Sequence, residues 1–200
     1  MGRVKVNMNI TLDGVLQASA RQDEDTRDGF SRGGWAVPYY DPEASGQAAQ
    51  EGAAGPSALL FGRRTYLDFY SVWPNRTDNP FTDILNRMHK YVASTTLEAP
   101  LPWENSTLLS GDAMSAVKKL KDESAQDLVV LGCGELVQSL MYNGLVDEYT
   151  LSIHPLVLGE GRRLFRDGAP YTRFTLVDTK TTRTGVIIAT YRTEAMAAGT

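Results

Sequence analysis

Apolar and polar residues alternate from the start of the chain. The pattern over Val4 to Thr11 is β-prone and stops at Asp13-Gly14, a strong turn signal, so a strand is predicted there. Ser57 to Phe61 predicts a short apolar strand broken by Gly62, and "RRTYLDFYSV" then predicts a helix that ends before Trp73-Pro74. Lys90 to Thr95 reads as another strand. Asp112 is placed to cap a helix with Ala113, Val117 and Leu120 on one face. Leu128 to Leu131 is uniformly apolar, as at the centre of a parallel sheet. After Gly132-Cys133-Gly134, a helix with the stripe Leu136, Val137, Leu140 and Met141 is stopped by Asn143-Gly144. Tyr149, Leu151 and Ile153 alternate along the next strand. "FTLVDTKTT" and "GVIIATYRT" flank a short turn at Arg183-Thr184-Gly185 and predict a hairpin. Strands alternating with helices and closing in an antiparallel hairpin define an α/β domain with a mixed sheet.

Residues 19–56 break this rhythm. The segment opens polar and acidic, passes through Gly33-Gly34-Trp35, and predicts a helix capped by Asp41 with Pro42 in its first turn. Its aromatic residues, Phe30, Trp35, Tyr39 and Tyr40, suit an insertion that folds over a site better than a tether. One domain over 1–194 with a loose tail at 195–200 is expected.

Composition narrows the function classes. A formal net charge of -4 and no clustered Lys/Arg argue against nucleic-acid or acidic-membrane partners. The single cysteine, Cys133, fits a reducing compartment; with no apolar signal segment or membrane-length run, a soluble cytoplasmic protein is expected. Two histidines and one cysteine cannot build a clustered zinc site at the usual spacings, so no metal is expected. There is no Gly-x-Ser-x-Gly elbow and no Walker-type lysine loop. Gly132-Cys133-Gly134 begins like a Rossmann fingerprint, but Val137 stands where the third glycine should be.

What remains is a pair of strand–turn–helix units, "LLFGRRTY" and "VVLGCGEL". Each exposes backbone N–H groups at a helix start, where anionic groups are favoured. Arg63 and Arg64 add positive charge to the first, and Thr65 a hydroxyl. Two such units point to the ends of a diphosphate-bearing ligand.

Four features in order, "TLDG", "GRRTY", "KYVAST" and "LGCGELVQSLMYNGLVDEYTLSIHPLVLGEGRRLF", resemble the dihydrofolate-reductase-like superfamily. The last stretch looks like the reductase domain of the bifunctional riboflavin-biosynthesis deaminase/reductase and its stand-alone relatives. The resemblance implies a dihydrofolate-reductase-like three-layer domain with a central mixed, mostly parallel sheet and a C-terminal antiparallel hairpin. It implies NADPH, with NADH possible, across the carboxyl ends of the central strands. Gly62, Arg63, Arg64 and Thr65 match the pyrophosphate and 2′-phosphate loop. Ser94 and Thr95 match the strand end beside the adenosine ribose. Gly132, Cys133, Gly134, Glu135 and Leu136 match the second loop, and Asp13 and Gly14 the turn near the nicotinamide. It raises the question of a cis Gly132–Cys133 bond, as in the glycine pair of dihydrofolate reductases. A homodimer is implied by the resemblance alone.

The expected activity is an NAD(P)H-dependent reductase acting on a C=N or C=O carbon of a small heterocycle. The closest named reaction is 5-amino-6-(5-phosphoribosylamino)uracil reduction in riboflavin biosynthesis. Two alternatives stand beside it, a nucleotide-binding protein without turnover and a true dihydrofolate reductase. The pterin-binding acid of the latter has no matching motif, although Asp23, Glu24, Asp25 and Asp28 lie in that part of the chain. Trp35 either stacks on a planar substrate or anchors the insertion; Tyr39 either packs or reaches the substrate. His154 and Cys133 read as structural, and Arg162, Arg163 and Arg166 as exposed or as partners for a substrate phosphate.

Overall fold

The computed structural model describes residues 1–53, 55–79 and 81–194, of which 48–53 are described by their backbone alone; the tail expected at 195–200 lies outside them. Eight strands form one sheet: β1 (Val4–Thr11), β2 (Ser57–Gly62), β3 (Lys90–Ala93), β4 (Ser106–Leu109), β5 (Asp127–Leu131), β6 (Glu148–His154), β7 (Phe174–Thr181) and β8 (Ile187–Thr193). Their order is β4-β3-β2-β5-β1-β6-β8-β7. The pairings from β4 to β6 are parallel, and β8 runs antiparallel to both β6 and β7. The expected mixed sheet and terminal hairpin are therefore present.

The helices are α1 (Pro42–Ala53), α2 (Arg63–Val72), α3 (Phe81–Arg87), α4 (Ala113–Glu123) and α5 (Gly134–Tyr142). Val4, Val6 and Met8 of β1 and Leu128 and Val130 of β5 join Val117 of α4 and Val137 and Leu140 of α5 in the main core. Against the α4 face expected from sequence, Met114 and Ala116 pack beside Val117 and Leu120, while Ala113 is only half-buried.

The opposite face of the central strands departs from expectation. Burial along β5 alternates, with Val129 and Leu131 only half-covered. On β1 the same face carries Lys5, Asn7 and Asn9. A helix packed tightly on this face would desolvate those polar groups without partners, so the face stays open as a cleft beneath α1 and α3.

Two elements, α3 and β4, were not foreseen, and β3 stops at Ala93 rather than Thr95. The hydroxyl of Ser94 accepts from the Thr96 and Leu97 N–H groups at 3.1 and 3.0 Å and turns the chain away. The fully buried Lys90 ties α3 down by donating from Nζ to the Asn86 and Met88 carbonyls at 3.2 and 2.7 Å.

Leu140 of α5 has no exposed surface. Its truncation in Leu140→Ala is expected to cost about 2–5 kcal/mol, read as a lower urea midpoint with an unchanged slope.

Candidate active site at the strand carboxyl ends

The two glycine turns form one surface. β2 and β5 are neighbours, so Gly62 at the end of β2 and Gly132 after β5 emerge side by side. Gly132 turns the chain through φ 67°, a left-handed value that favours glycine. A Cβ there would lie 3.8 Å from the Thr65 methyl, and one on Gly62 would lie 3.8 Å from Cβ of Leu136. Cys133 bridges the turns: its Sγ accepts from the Gly62 N–H at 3.4 Å and donates to the Leu131 carbonyl at 3.3 Å. Burial pushes its thiol up to about 11 despite hydrogen bonds with Thr65 and Gly62. The thiol therefore stays protonated and serves packing rather than nucleophilic attack. The Gly132–Cys133 peptide is trans; the cis bond among the described residues is Ala99–Pro100.

Both helix starts at this surface lack a side-chain cap. Gly62 precedes α2 and Cys133 precedes α5, and neither offers a side-chain acceptor to the first N–H groups. Elsewhere the chain caps its helices: Asp112 accepts from Met114 N–H, and Asp41 from Glu43 and Ala44 N–H. The uncapped N–H groups and the positive dipole ends are thus left for an anion. Arg63 and Arg64 are exposed and form no ion pair with any described carboxylate. Cations in the first turn of a helix oppose its dipole; a bound polyanion would reverse that penalty. Thr65 is half-buried beside Gly132, and exposed Thr95 follows β3, which pairs with β2 up to Gly62 and Ala93. The residues therefore fit a dinucleotide diphosphate: two adjacent glycine turns carry orphan N–H groups, and two arginines without a described carboxylate partner open the first helix.

Other expected site residues are engaged within the fold. Asp13 accepts from the Thr11 hydroxyl at 2.6 Å and from the Leu158 and Gly159 N–H groups at 3.2 and 2.9 Å. Burial pushes its carboxyl up, but these hydrogen bonds outweigh it and hold it at about 2. Gly14, at φ 77°, donates to the Thr11 carbonyl and accepts from Leu164 N–H, so the β1 turn and the 156–164 loop are locked together.

Leu136 is buried under the second turn. Glu135 is a hub for Arg162, Arg166 and Arg27. Partial burial raises its carboxyl, and the three arginines more than offset this, leaving it below the usual range. Arg162 also pairs with Asp28 at 2.9 Å and Arg163 with Asp13 at 3.5 Å. Sequence reading missed these pairs; Arg162 and Asp28 are 134 residues apart, and no local pattern links them.

The acids of the insertion are similarly occupied. Glu24 accepts from the Ala20 and Arg21 N–H groups, Asp25 binds Arg27, and Asp23 lies 3.4 Å from Arg21. Of the two readings of Trp35, the structure shows anchoring. Its ring is buried, Nε1 donates to the Gln17 carbonyl at 2.7 Å, and it meets His154 edge-on at 5.2 Å. Tyr39 is half-buried and also edge-on to His154, at 5.7 Å. Burial lowers the His154 imidazole, whose Nδ1 donates to the Ser152 carbonyl at 3.0 Å; the ring is a structural post.

Below the glycine turns lies a cleft of about 870 Å³, walled by α1, α3 and the β7–β8 turn and floored by the sheet. Leu131, which precedes Gly132, lies at its head beside Asn7. Asp41 reaches it too, but its Oδ2 accepts from Arg183 N–H while Oδ1 caps α1. No cluster of metal-ligating side chains exists among the described residues, and no described helix is long and apolar enough to cross a membrane.

The Asp13 clamp yields a pH prediction. Its folded carboxyl titrates below the unfolded value near 3.9, so its stabilisation is complete above that pH and is lost as pH falls toward 2. Asp13→Asn should lower stability by about 1–3 kcal/mol at neutral pH. The gap from wild type should close between pH 4 and 2 in denaturant titrations.

Comparison with known proteins agrees with this fold. Residues 3–188 match the RibD C-terminal domain family. YyaP of Bacillus subtilis (strain 168), itself uncharacterized, is 32% identical over 195 residues, covering 94% of each chain. The Thermotoga maritima diaminohydroxyphosphoribosylaminopyrimidine deaminase/5-amino-6-(5-phosphoribosylamino)uracil reductase superposes with a TM-score of 0.63 at 15% identity. The match covers 96% of this chain and 56% of that longer one. The Enterococcus faecalis dihydrofolate reductase, complexed with NADP(H), gives 0.57 at 12% identity, covering 97% and 98%. With the dihydrofolate-reductase-like fold and a family match spanning nearly all of β1 to β8, the chain belongs to the RibD C-terminal domain family, a family of reductases.

Proposed function

We propose that the protein is an NADPH-dependent reductase that delivers a hydride to a C=N or C=O carbon of a small heterocycle seated in the cleft. The observation that carries this reading is the pair of adjacent, uncapped helix starts with two unpaired arginines beside them. The backbone N–H groups of 63–65 and 135–136 would hold the pyrophosphate, the Gly134 N–H being taken by the Gly132 carbonyl, and Arg63 and Arg64 the 2′-phosphate. Bound there, the reduced nicotinamide supplies a hydride, which converts C=N to CH–NH or C=O to CH–OH once a proton reaches the heteroatom.

The chain's own contribution is to align the two reactants and keep bulk water out. Trp35 and His154 brace the insertion against the sheet. The Asp13 clamp fixes the turn after β1 to the 156–164 loop. Asp41 already accepts three backbone N–H groups, and Asp23, Asp25 and Asp28 are paired with arginines. Glu24, its carboxyl pushed up by burial, accepts the Ala20 and Arg21 N–H groups. None of these acids lines the cleft except Asp41, so the proton is assigned to water in the cleft or to a group of the substrate. A true dihydrofolate reductase needs an acid at its substrate, and none of the acids at 23–28 lines this cleft. The Thermotoga relative's reaction, reduction of a phosphoribosylamino-uracil, is the first named reaction to test.

Replacing Arg63 and Arg64 by alanine should weaken NADPH binding at least tenfold, about 1.4 kcal/mol or more, in a cofactor-fluorescence titration. NADH affinity should change less, because it lacks the 2′-phosphate; equal loss for both would move the arginines to the pyrophosphate. The free protein should respond in the opposite sense. Arg64→Glu is expected to raise its stability by about 0.3–1 kcal/mol, since a carboxylate suits a helix N-terminus, while NADPH binding falls. A fall in both would mean that the arginine supports the fold instead.

A further inference from the structure

The floor of the cleft is polar where the centre of a parallel sheet is normally apolar. At the head, Asn7 of β1 stands in register between Leu131 of β5 and Thr150 of β6. Thr150 in turn faces Thr190 of β8, with their hydroxyl oxygens 3.2 Å apart. Asn7 is exposed, and its amide makes no hydrogen bond to another described residue. A side-chain amide offers a donor and an acceptor together, the complement of a ring N–H beside a ring C=O. Val129, Leu131 and Ile188 give the same floor apolar surface for the flat of a ring.

The far end of the cleft is charged, but the charges are matched. Arg3 and Lys5 share Asp127, at 3.4 and 2.7 Å, and Arg3 also approaches Glu148 at 3.6 Å. Arg183 pairs with Glu43 at the rim. Among the described lining residues four cationic side chains stand against five carboxylates. A phosphate entering here would have to displace a carboxylate from its arginine or lie beside it. Arg162, Arg163 and Arg166 do not line this cleft and are engaged by Asp28, Asp13 and Glu135.

We propose that the cleft selects a neutral heterocycle with a lactam edge and no phosphate, read by Asn7 with the Thr150–Thr190 hydroxyl pair. This rests on the reductase reading, and it separates the chain from the phosphorylated substrate of the Thermotoga relative. The test uses protein saturated with NADP⁺, so that no turnover occurs. It is titrated calorimetrically with 5-amino-6-ribosylaminouracil and, separately, with its 5′-phosphate. The two should bind within threefold of each other, and Asn7→Leu should weaken both at least tenfold while NADP⁺ affinity stays constant. Tenfold or tighter binding of the phosphate would overturn the inference and leave the reductase reading standing. Unchanged binding by Asn7→Leu, or no binding of the riboside at millimolar concentration, would overturn it as well. Failure of NADP⁺ to bind would remove the reductase reading and this inference together, and the cofactor titration alone reveals that case.

Discussion

Neighbouring parallel strands must deliver their helices from the same edge of a sheet, and β2 and β5 do so with nothing between them. The helix starts of α2 and α5 therefore lie side by side, each with orphan N–H groups and a partial positive charge. Gly132 takes the left-handed φ of 67° that the second turn requires, and the buried Cys133 thiol satisfies one N–H and one carbonyl between the turns. Two like dipole ends in contact, with two arginines added, repel one another. The arrangement is expensive for a free protein and becomes favourable with a polyanion in place. Asp112 and Asp41 show that the same chain caps a helix where no ligand is due.

The rest of the molecule steadies that edge. Asp13 fastens the β1 turn to Leu158 and Gly159, and Glu135 gathers arginines from the insertion and from the loop after β6. These carboxylates lie where cofactor contacts were expected, yet their oxygens serve the scaffold. They hold the loops beside the two helix starts, the surface proposed for the cofactor. The open polar face of β1 supplies the floor of the cleft, with hydrogen-bonding groups at one end and matched charges at the other.

How much of this was legible in the sequence depended on range. The strand at Val4–Thr11 and the helix at Arg63–Val72 are bounded as expected, because alternation and the flanking Gly62 and Trp73-Pro74 are local signals. The two glycine turns were legible for the same reason. α3 has seven residues and β4 four, too few for a period to show. They are fixed instead by distant contacts such as Trp103 Nε1 donating to Asn86 Oδ1 at 2.8 Å. The apolar run of β5 suggested cover on both faces, yet Val129 and Leu131 face the cleft; hydrophobicity alone cannot separate a core wall from a binding-site wall. The pairing of Arg162 with Asp28 and the double use of Asp41 needed the folded chain.

The central claim is that both helix starts grip one dinucleotide. Backbone amide chemical shifts followed during NADPH titration test it most directly. The account predicts saturable shifts at residues 62–65 and at 132–136 with a common dissociation constant, and none at the capped start of α4 around Met114. Shifts confined to one turn, or spread over α4 as strongly as over α2 and α5, would contradict it.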